Sequence, residues 1–405
     1  MHSHHARPMR RRLLLAAAAG IAATALPARS QHRHGSAKRP ELGISAALDA
    51  AGTIWVASRE SAGDAPFLAL QSSGDDGRTW SPARQLTGEA ITASGESRPK
   101  IAFGRQGDIY IAYTKPIARP HMGDIRFIRS IDGGRTFSAP VTVHAHREVT
   151  THSFESMIVD SEGRIFIAWV DGRDADAAKA RGERYAGSAI YYAVSHDGGA
   201  SFRGDYKVAD HSCECCRIGL ALNGQGKPVA LWRHVFAPNI RDHASAELGA
   251  DGSAAPLKRA SFDDWRIDAC PHQGPAHAYA ANGMRHQVWF NGAEGSAGGV
   301  QYAAFAPGAT LPAPVVLGNA QASQADIAVL GERVAVAWKQ FDGAATAVLA
   351  RLSDDGGLSW REQALARTAG ESGKPYLALG PSGIRLVWRT EKEGIQVAKV
   401  GGGKA

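Results

Sequence analysis

The feature that most constrains the fold of this 405-residue chain is a strand pattern that recurs seven times. Each copy is a short run of apolar, strand-favouring residues, most often ending at Trp or Tyr, beside a polar turn that contains Gly. The runs end at residues 58, 113, 169, 232, 289, 338 and 388, which are separated by 55, 56, 63, 57, 49 and 50 residues. Strand-rich repeats of about 50 residues are typical of β-propellers, in which each unit is one small sheet. The pattern therefore predicts a single all-β propeller.

A second pattern occurs in four of the units: Ser-x-Asp-x-Gly-x-Thr or Ser, followed by an aromatic residue. Its aspartates are Asp75, Asp132, Asp197 and Asp355. This octapeptide resembles the Asp-box, or bacterial neuraminidase repeat, of sialidase-like propellers. An aspartate in such a turn accepts hydrogen bonds from the backbone that follows it, and the glycine takes a positive φ. We therefore expect these four aspartates to be structural rather than catalytic.

The resemblance covers roughly residues 41–400 and implies a sialidase-like fold. Sialidase propellers have six blades, whereas seven strand pairs are present here, so the sequence predicts seven blades with six as the alternative. The last unit offers three strands, and we expect the segment around residues 41–44 to complete it. An Ala-rich insertion within residues 171–187 predicts a short helix on the rim.

Residues 1–30 have the composition of an export signal. Arg10, Arg11 and Arg12 precede a short, Ala-rich apolar stretch with small residues near its end, which is the layout of a secretory signal of Sec or twin-arginine type. No other segment approaches 18 apolar residues, so no membrane span is expected after signal removal. The sequence predicts a signal peptide at 1–30, one propeller domain at 31–405, and a periplasmic location.

The formal charge of +7 does not indicate a nucleic-acid partner. Five arginines and no acidic residues lie within residues 1–30. The rest of the chain therefore has 41 basic and 39 acidic residues, which is nearly balanced. A nucleic-acid-binding domain is expected to have a strong basic excess on one face, so this class is excluded.

All four cysteines lie in the segments that lead into two adjacent units. Cys213, Cys215 and Cys216 precede the fourth unit, and Cys270 precedes the fifth. In a propeller, residues just before each first strand and just after each second strand gather around one funnel. The same funnel loops contain His211, His272, His234 and His243. Thiolate and imidazole are soft ligands that select Cu(I) or zinc, and three sulfurs within four residues suit low-coordinate Cu(I) better than tetrahedral zinc.

Four cysteines in an exported protein are also consistent with disulfides. Two bridges, one bridge with two thiols, and thiol–disulfide exchange all remain open, although a bond between the adjacent Cys215 and Cys216 would be strained. The spacing does not choose among these states.

The sialidase resemblance implies a different use of the same funnel. Sialidases use three arginines on the substrate carboxylate, a Tyr–Glu nucleophile pair and an Asp acid/base. The candidates here for the catalytic set are Arg98, Glu155, Asp171 and Arg173. Arg233 and Arg389 are candidates to complete the arginine set, and Tyr185 or Tyr376 to act as the tyrosine. No sequence motif fixes these assignments.

The sequence thus favours a periplasmic metal-binding protein for copper acquisition or handling, with Cu(I) as the expected ion, zinc as the alternative and no organic cofactor. A sialidase-like glycoside hydrolase is the second hypothesis. A third is a non-catalytic scaffold whose loops bind an outer-membrane or periplasmic protein partner.

Overall fold

The computed structural model describes residues 42–63, 65–93, 96–118, 122–215, 217–269, 271–296 and 298–401. Within them the chain forms seven antiparallel sheets, each built from strands that are consecutive in the sequence. The signal-peptide prediction, together with Cys216 and Cys270, lies outside the described residues. In the part of the chain that is described, no helix has the length and hydropathy to cross a membrane.

The first four blades each contain four strands. Blade 1 comprises β1 (Ile44–Leu48), β2 (Ile54–Ala62), β3 (Ala65–Ser73) and β4 (Arg84–Gln85). Blade 2 comprises β5 (Lys100–Phe103), β6 (Ile109–Pro116), β7 (Gly123–Ser130) and β8 (Val141–Thr142). Blade 3 comprises β9 (His152–Val159), β10 (Ile165–Asp171), the helix α1 (Arg173–Ala180), β11 (Ser188–Ser195) and β12 (Arg203–Ser212). Blade 4 comprises β13 (Gly219–Leu222), β14 (Pro228–Arg233), β15 (His243–Glu247) and β16 (Lys258–Arg259).

The remaining three blades continue the same order, and the last is one strand shorter within residues 374–401. Blade 5 comprises β17 (Ala276–Tyr279), β18 (Arg285–Asn291), β19 (Gly299–Phe305) and β20 (Val315–Leu317). Blade 6 comprises β21 (Ala322–Leu330), β22 (Arg333–Phe341), β23 (Thr346–Ser353) and β24 (Arg361–Thr368). Blade 7 comprises β25 (Tyr376–Gly380), β26 (Gly383–Thr390) and β27 (Gly394–Val400).

The inner strands close a seven-membered ring. Each of β1, β5, β9, β13, β17, β21 and β25 packs against its two neighbours in that order, and β25 packs against β1. The prediction of a seven-bladed all-β propeller is confirmed. The expectation that the segment around residues 41–44 completes the last blade is wrong, because Ile44 begins β1 and pairs with Ser58 of β2.

Blades 1 and 7 are joined by side chains. Both Nη atoms of Arg389 in β26 donate to the carboxylate of Glu60 in β2, at 2.6 and 2.9 Å. Arg385 Nε donates to Asp76 Oδ1 at 2.8 Å. These pairs connect residues more than 300 positions apart in the sequence, so they hold the seam of the ring.

The large aromatic residues in the second strands explain why the repeat folds this way. Trp169, Trp232, Trp338 and Trp388 are fully buried, as is Tyr113. They lie in the hydrophobic clusters that line neighbouring sheets. Burying a large aromatic side chain contributes on the order of 3–5 kcal/mol, judged by truncation to Ala. Each of these five repeats therefore supplies one large apolar group for the packing between blades, whereas the first repeat has Ser58 at this position.

The turns between the third and fourth strands share one geometry in four blades. In blade 1, Ser73 Oγ accepts a hydrogen bond from Gly77 N, and Asp75 accepts from Thr79 N and Thr79 Oγ1 at 2.9 and 2.7 Å. The backbone hydrogen bond from Thr79 leads the contacts that lower the pKa of Asp75 to about 2. The same bonds recur at Asp132, Asp197 and Asp355. These carboxylates stabilise the turns by accepting hydrogen bonds, and the turns lie on the face of the ring opposite to the funnel.

The helix α1 confirms the short rim helix expected from the Ala-rich insertion. Asp174 and Asp176 lie in its first turn, where carboxylates stabilise the positive end of the helix dipole. Arg181 and Gly182 end it, and Gly182 has a φ of +72°. The helix therefore stops after two turns and returns the chain to β11.

Candidate functional site

The polar groups at the propeller axis come from the segments that lead into the inner strands. The backbone is strained at four of these positions: Phe154, His211, His272 and Gln324 all have φ between +51° and +55°. Phe154 and Gln324 lie in β-bulges of the inner strands β9 and β21, each opposite a buried Trp of the second strand. Bulges and strained backbone concentrate next to functional sites, because they re-aim side chains that a regular strand would direct elsewhere.

Arg217 fills the axis and contacts several blades at once. Its Nη1 donates to Glu96 Oε2 at 2.8 Å, its Nε to the Pro275 carbonyl at 3.0 Å, and its Nη2 to the Ala325 carbonyl at 2.9 Å. Both partners of the ion pair are buried. Each of the three nitrogens of this guanidinium donates a hydrogen bond within the protein, so Arg217 holds the funnel floor together.

Arg98 differs from Arg217 because its guanidinium is incompletely paired. The side chain is 4% exposed, and its Nε and Nη1 atoms are buried without a hydrogen-bond partner. The guanidinium lies over the ring of Tyr376, with 5.2 Å between the Cζ atom and the ring centroid. Burial lowers the pKa of Arg98 from its usual value, and the charge of Arg217 acts in the same direction. Arg98 is thus a buried cation that can still receive an anionic ligand.

Lys100 and Glu155 form an acid–base pair beside Arg98. Lys100 Nζ donates to the Arg98 carbonyl at 2.6 Å, and Thr114 Oγ1 donates to Glu155 Oε2 at 2.6 Å. Burial lowers the pKa of Lys100 to about 7, and burial raises the pKa of Glu155. The second carboxylate oxygen of Glu155 is buried without a hydrogen-bond partner. Lys100 can therefore change protonation state near neutral pH, as an acid–base catalyst must, and burial favours the neutral form of Glu155.

Blades 6 and 7 contribute further polar groups at the propeller axis. Asp326 Oδ2 accepts from Leu377 N at 2.9 Å, and Lys374 Nζ lies 3.7 Å from Asp326 Oδ1. Burial raises the pKa of Asp326 and of Tyr376. We call this group of buried and half-buried polar residues the axial cluster; its members are Glu96, Arg98, Lys100, Glu155, Arg217, Asp326, Lys374 and Tyr376.

Asp171 and Arg173, the other two catalytic candidates of the hydrolase hypothesis, form contacts that are separate from the axial cluster. Arg173 donates to both Asp171 Oδ2 and Asp205 Oδ2 at 2.7 Å, and stacks on Tyr191. Asp171 also accepts from Trp169 Nε1 and is fully buried. Of the four predicted catalytic residues, the structure brings Arg98 and Glu155 together around Lys100, whereas Asp171 and Arg173 are bound to each other.

The remaining candidates also bind other parts of the protein; they are Arg233, Arg389 and Tyr185. Arg233 donates to three backbone carbonyls and stacks on Trp265. Arg389 belongs to the seam between blades 1 and 7. Tyr185 Oη donates to Asp210 at 2.7 Å, and the charge and hydrogen bond of Asp210 act with burial to raise the pKa of Tyr185. Of the two tyrosines considered, Tyr376 is the one at the axis.

The cysteine loop lies on the same face of the ring. Cys213 and Cys215 are buried, with their Sγ atoms 3.6 Å apart, and Arg241 Nη1 donates to Cys213 Sγ at 3.5 Å. Glu214 lies at 3.9 Å from the same guanidinium. The structure therefore brings two of the predicted sulfur ligands together, while the other two lie outside the described residues.

The four predicted histidine ligands are dispersed around this loop. His243 is buried, with Nδ1 bonded to Ser261 Oγ at 3.1 Å and Nε2 without a partner, and burial lowers its pKa well below the usual value. His211 and Tyr185 line a cavity of about 570 Å³, which also borders Asn239 and Asp268. His234 is buried against Phe236, and burial lowers its pKa to about 4. His272 precedes β17 and has a φ of +51°.

Sequence reasoning singled out Arg98, Glu155 and Tyr376 of the axial cluster as site residues but not the other members, among them Asp326 and Lys374. They occupy the same place before or within the inner strands of blades 6 and 7 as Arg98 and Glu155 do in blades 2 and 3. Applying the same positional rule to the last two units would have found both.

Comparison with known proteins gives the fold and no family. No protein-family profile matches the sequence, and no curated protein matches it. Among solved structures, the polysaccharide lyase Uly1 is 9% identical, with a TM-score of 0.58 over 90% of this chain and 91% of the lyase. An ulvan lyase of polysaccharide lyase family 25, solved with a glucuronate–sulfated rhamnose ligand, is 11% identical, with a TM-score of 0.54 over 89% of this chain and 94% of that one. The Hadza microbial sialidase Hz136 is 14% identical, with a TM-score of 0.50 over 73% of this chain and 63% of the sialidase.

Proposed function

We propose that this chain is a carbohydrate-active propeller that binds the carboxylate of an acidic sugar at the axial cluster and cleaves the glycan there. The observation that carries the proposal is the Arg98 guanidinium, which is buried with Nε and Nη1 unpaired. Leaving a buried donor unsatisfied costs about 1–3 kcal/mol, and more for a charged group. A sugar carboxylate is a strong acceptor for a guanidinium N–H, so it would supply a missing partner to Arg98.

The charge of the axial cluster supports an anionic ligand. It contains four basic side chains, Arg98, Lys100, Arg217 and Lys374, and three acidic ones, Glu96, Glu155 and Asp326. Burial raises the pKa of both Glu155 and Asp326, which decreases the negative charge that they carry. Burial also lowers the pKa of Lys100 to about 7, so part of its positive charge is lost at neutral pH. A carboxylate entering the funnel would still meet the positive charges of Arg98, Arg217 and Lys374 in a poorly hydrated site, where electrostatic attraction is strong.

Lys100 and Glu155 supply the proton transfers that cleavage requires. A lysine whose pKa is about 7 is neutral in part of the population at neutral pH and can remove a proton. A carboxyl group with a raised pKa can donate one. Elimination from a uronate and hydrolysis of a sialoside both need a neutralised carboxylate together with such a pair. The two reactions differ in their products, an unsaturated uronate or a released sialic acid.

The test is a substrate panel with matched variants. Purified protein would be incubated with uronate polymers, sialosides and neutral glycans of similar length, and products would be followed by mass spectrometry and by the absorbance of unsaturated uronates. Cleavage confined to acidic glycans, lost in Arg98→Met and retained in Arg78→Met, is the expected result, because Arg78 bonds only within an exposed turn. Equal action on neutral glycans, or full activity in Arg98→Met, contradicts the proposal.

The second candidate function, binding of copper or zinc by thiolates, is supported by the distance of 3.6 Å between the Sγ atoms of Cys213 and Cys215. Two sulfurs at this separation can ligate one Cu(I) ion, with Cys216, Cys270 or His243 as further candidate ligands. Anaerobic copper titration of wild type and Cys213→Ser/Cys215→Ser would test it. Stoichiometric Cu(I) in the wild type alone supports the proposal, and equal copper in both contradicts it. Export to the periplasm and a protein partner remain predictions.

A further inference from the structure

A second polar cluster lies between blades 2 and 3, on the same face as the funnel. It is formed by Asp124 at the start of β7, His144 just after β8, and His152 at the start of β9. One potential ligand atom of each residue lies within 4.8 Å of those of the other two. Both imidazoles are fully buried, whereas the Asp124 side chain is 30% exposed. The cluster is therefore a nearly closed site that opens to solvent on its carboxylate side.

The hydrogen bonds of the two imidazoles fix their tautomers. His144 Nδ1 contacts the His146 carbonyl at 2.6 Å, and His152 Nδ1 contacts the Gly123 carbonyl at 3.1 Å. A carbonyl oxygen can only accept, so both Nδ1 atoms carry the proton and both Nε2 atoms present a lone pair. A backbone carbonyl bound to the far nitrogen is the usual support of a metal-ligating histidine.

The Nε2 atom of His152 carries the strongest indication of a missing ligand. It is buried and has no hydrogen-bond partner. The nearest carboxylate oxygen is Asp171 Oδ2 at 3.7 Å, but that atom already accepts from Trp169 Nε1 and Arg173 Nη2. His144 Nε2 lies 3.5 Å from Asp124 Oδ1 and accepts a bond of 3.2 Å from Ile125 N.

We propose that Asp124, His144 and His152 bind a divalent transition-metal ion of the zinc class through one carboxylate oxygen and two Nε2 atoms. Two imidazoles and one carboxylate are a common ligand set for such ions, with water in the open position. Calcium and magnesium ions prefer sites built from oxygen atoms alone, so a site with two imidazole nitrogens does not suit them.

Metal binding requires the imidazole rings of His144 and His152 to move. The two rings are stacked, with centroids 3.7 Å apart and an interplanar angle of 11°. For both lone pairs to point at one ion, the rings must tilt apart, and His144 must give up its bond from Ile125 N. A zinc-free protein is therefore expected to keep the stacked pair, and zinc is expected to separate it.

The test uses the full chain stripped of metal, in a Cys213→Ser/Cys215→Ser background that removes the thiolate site. Zinc affinity would be measured by competition with a chromophoric chelator. One zinc per chain is expected, with affinity decreased at least tenfold in Asp124→Asn and in His152→Gln. His196→Gln is the matched control, because His196 is exposed and bonds only to a backbone carbonyl. The Asp124 side chain is partly exposed, and Asn is nearly isosteric with Asp. The Asp124→Asn variant therefore keeps the test valid if His152→Gln does not fold.

Cobalt substitution distinguishes this site from the cysteine loop. Co(II) bound at the proposed site is expected to give ligand-field bands without a sulfur charge-transfer band, and the spectrum is expected to disappear in Asp124→Asn. Wild-type zinc affinity in Asp124→Asn, or loss of all zinc when the two cysteines are replaced, overturns the proposal. Glycan cleavage is not part of the readout, so the outcome is independent of the proposed function.

Discussion

Arg217 joins the loop before blade 4 to Glu96 in the loop before blade 2 through a buried ion pair of 2.8 Å. The same guanidinium reaches the Pro275 and Ala325 carbonyls, in the segments of blades 5 and 6. One side chain thereby connects four of the seven blades at the axis. Two residues with very different roles, Arg217 and Arg98, lie side by side in this cluster.

We expect Arg217→Met to destabilise the protein strongly. Removing one partner of a buried ion pair leaves an uncompensated charge, here that of Glu96, and typically costs 3–5 kcal/mol. The free energy of unfolding, measured by urea denaturation, should fall by about that amount. Replacing both residues, in Arg217→Met/Glu96→Gln, should recover part of the loss. A single variant with wild-type stability would show that the pair does not hold the axis.

Arg98→Met should have the opposite profile. Because this cation is buried without full compensation, replacing it with an apolar side chain of similar length is expected to leave stability unchanged or slightly raised. Binding of acidic glycans should weaken at least tenfold, which corresponds to about 1.4 kcal/mol. Thermal unfolding and calorimetric binding on the same preparation would check both parts. A large loss of stability would instead assign Arg98 a purely structural role.

The charge of Lys100 predicts a pH dependence of glycan binding. Burial lowers its pKa to about 7, so its charge is present below that pH and is lost as the pH rises through it. Affinity for a carboxylate ligand should therefore decrease between about pH 6 and pH 8. Lys100→Arg should shift this decrease well above pH 8, since arginine stays protonated. An unchanged pH profile in Lys100→Arg would assign the dependence to another group.

Lys100 also affects stability with a defined sign. The unfolded chain has a lysine pKa near 10.4, above the folded value, so between about pH 7 and pH 10 the unfolded state binds more protons. The contribution of Lys100 to the free energy of unfolding therefore rises with pH over that window. Lys100→Met should flatten this rise, which a series of denaturation curves across the window would show.

Two glycines of the turns between third and fourth strands separate backbone strain from packing. Gly199 and Gly133 both have a positive φ, of +86° and +71°. A Cβ atom at Gly199 would lie 2.1 Å from Phe127 Cε1, whereas one at Gly133 would meet nothing within 4 Å. Gly133→Ala should cost about 1–2 kcal/mol for the left-handed backbone. Gly199→Ala should cost about 1–3 kcal/mol more from overpacking, and equal losses in the two variants would contradict this account.

The fold could be predicted because most repeats have one large aromatic residue at the same place in the second strand. Trp169, Trp338 and Trp388 recur in this way, and a propeller is the architecture that buries all of them in equivalent places. The position of the last blade could not be predicted from the segment at 41–44. An apolar segment next to a three-stranded unit is equally suited to begin its own blade, and Ile44 does so by pairing with Ser58.

The site could be predicted only in part, because the position of a residue along its strand does not reveal which side chain it contacts. The rule that funnel residues precede the inner strands found Arg98, Glu155 and the segment that contains Arg217. It did not show that Arg389 pairs with Glu60, since that contact spans 329 positions. It also did not single out His144, which lies at the beginning of the segment that leads from β8 to β9, several residues before the inner strand.

The side-chain seam between blades 1 and 7 has a consequence for how the molecule is made. Glu60 is synthesised among the first residues of the ring and Arg389 among the last, and the two must meet before the circle exists. Contacts of such high sequence separation form late and slowly in folding. Until the final blade leaves the ribosome, blade 1 presents an uncovered apolar flank. The nascent chain is then an open arc whose two ends need protection from other chains.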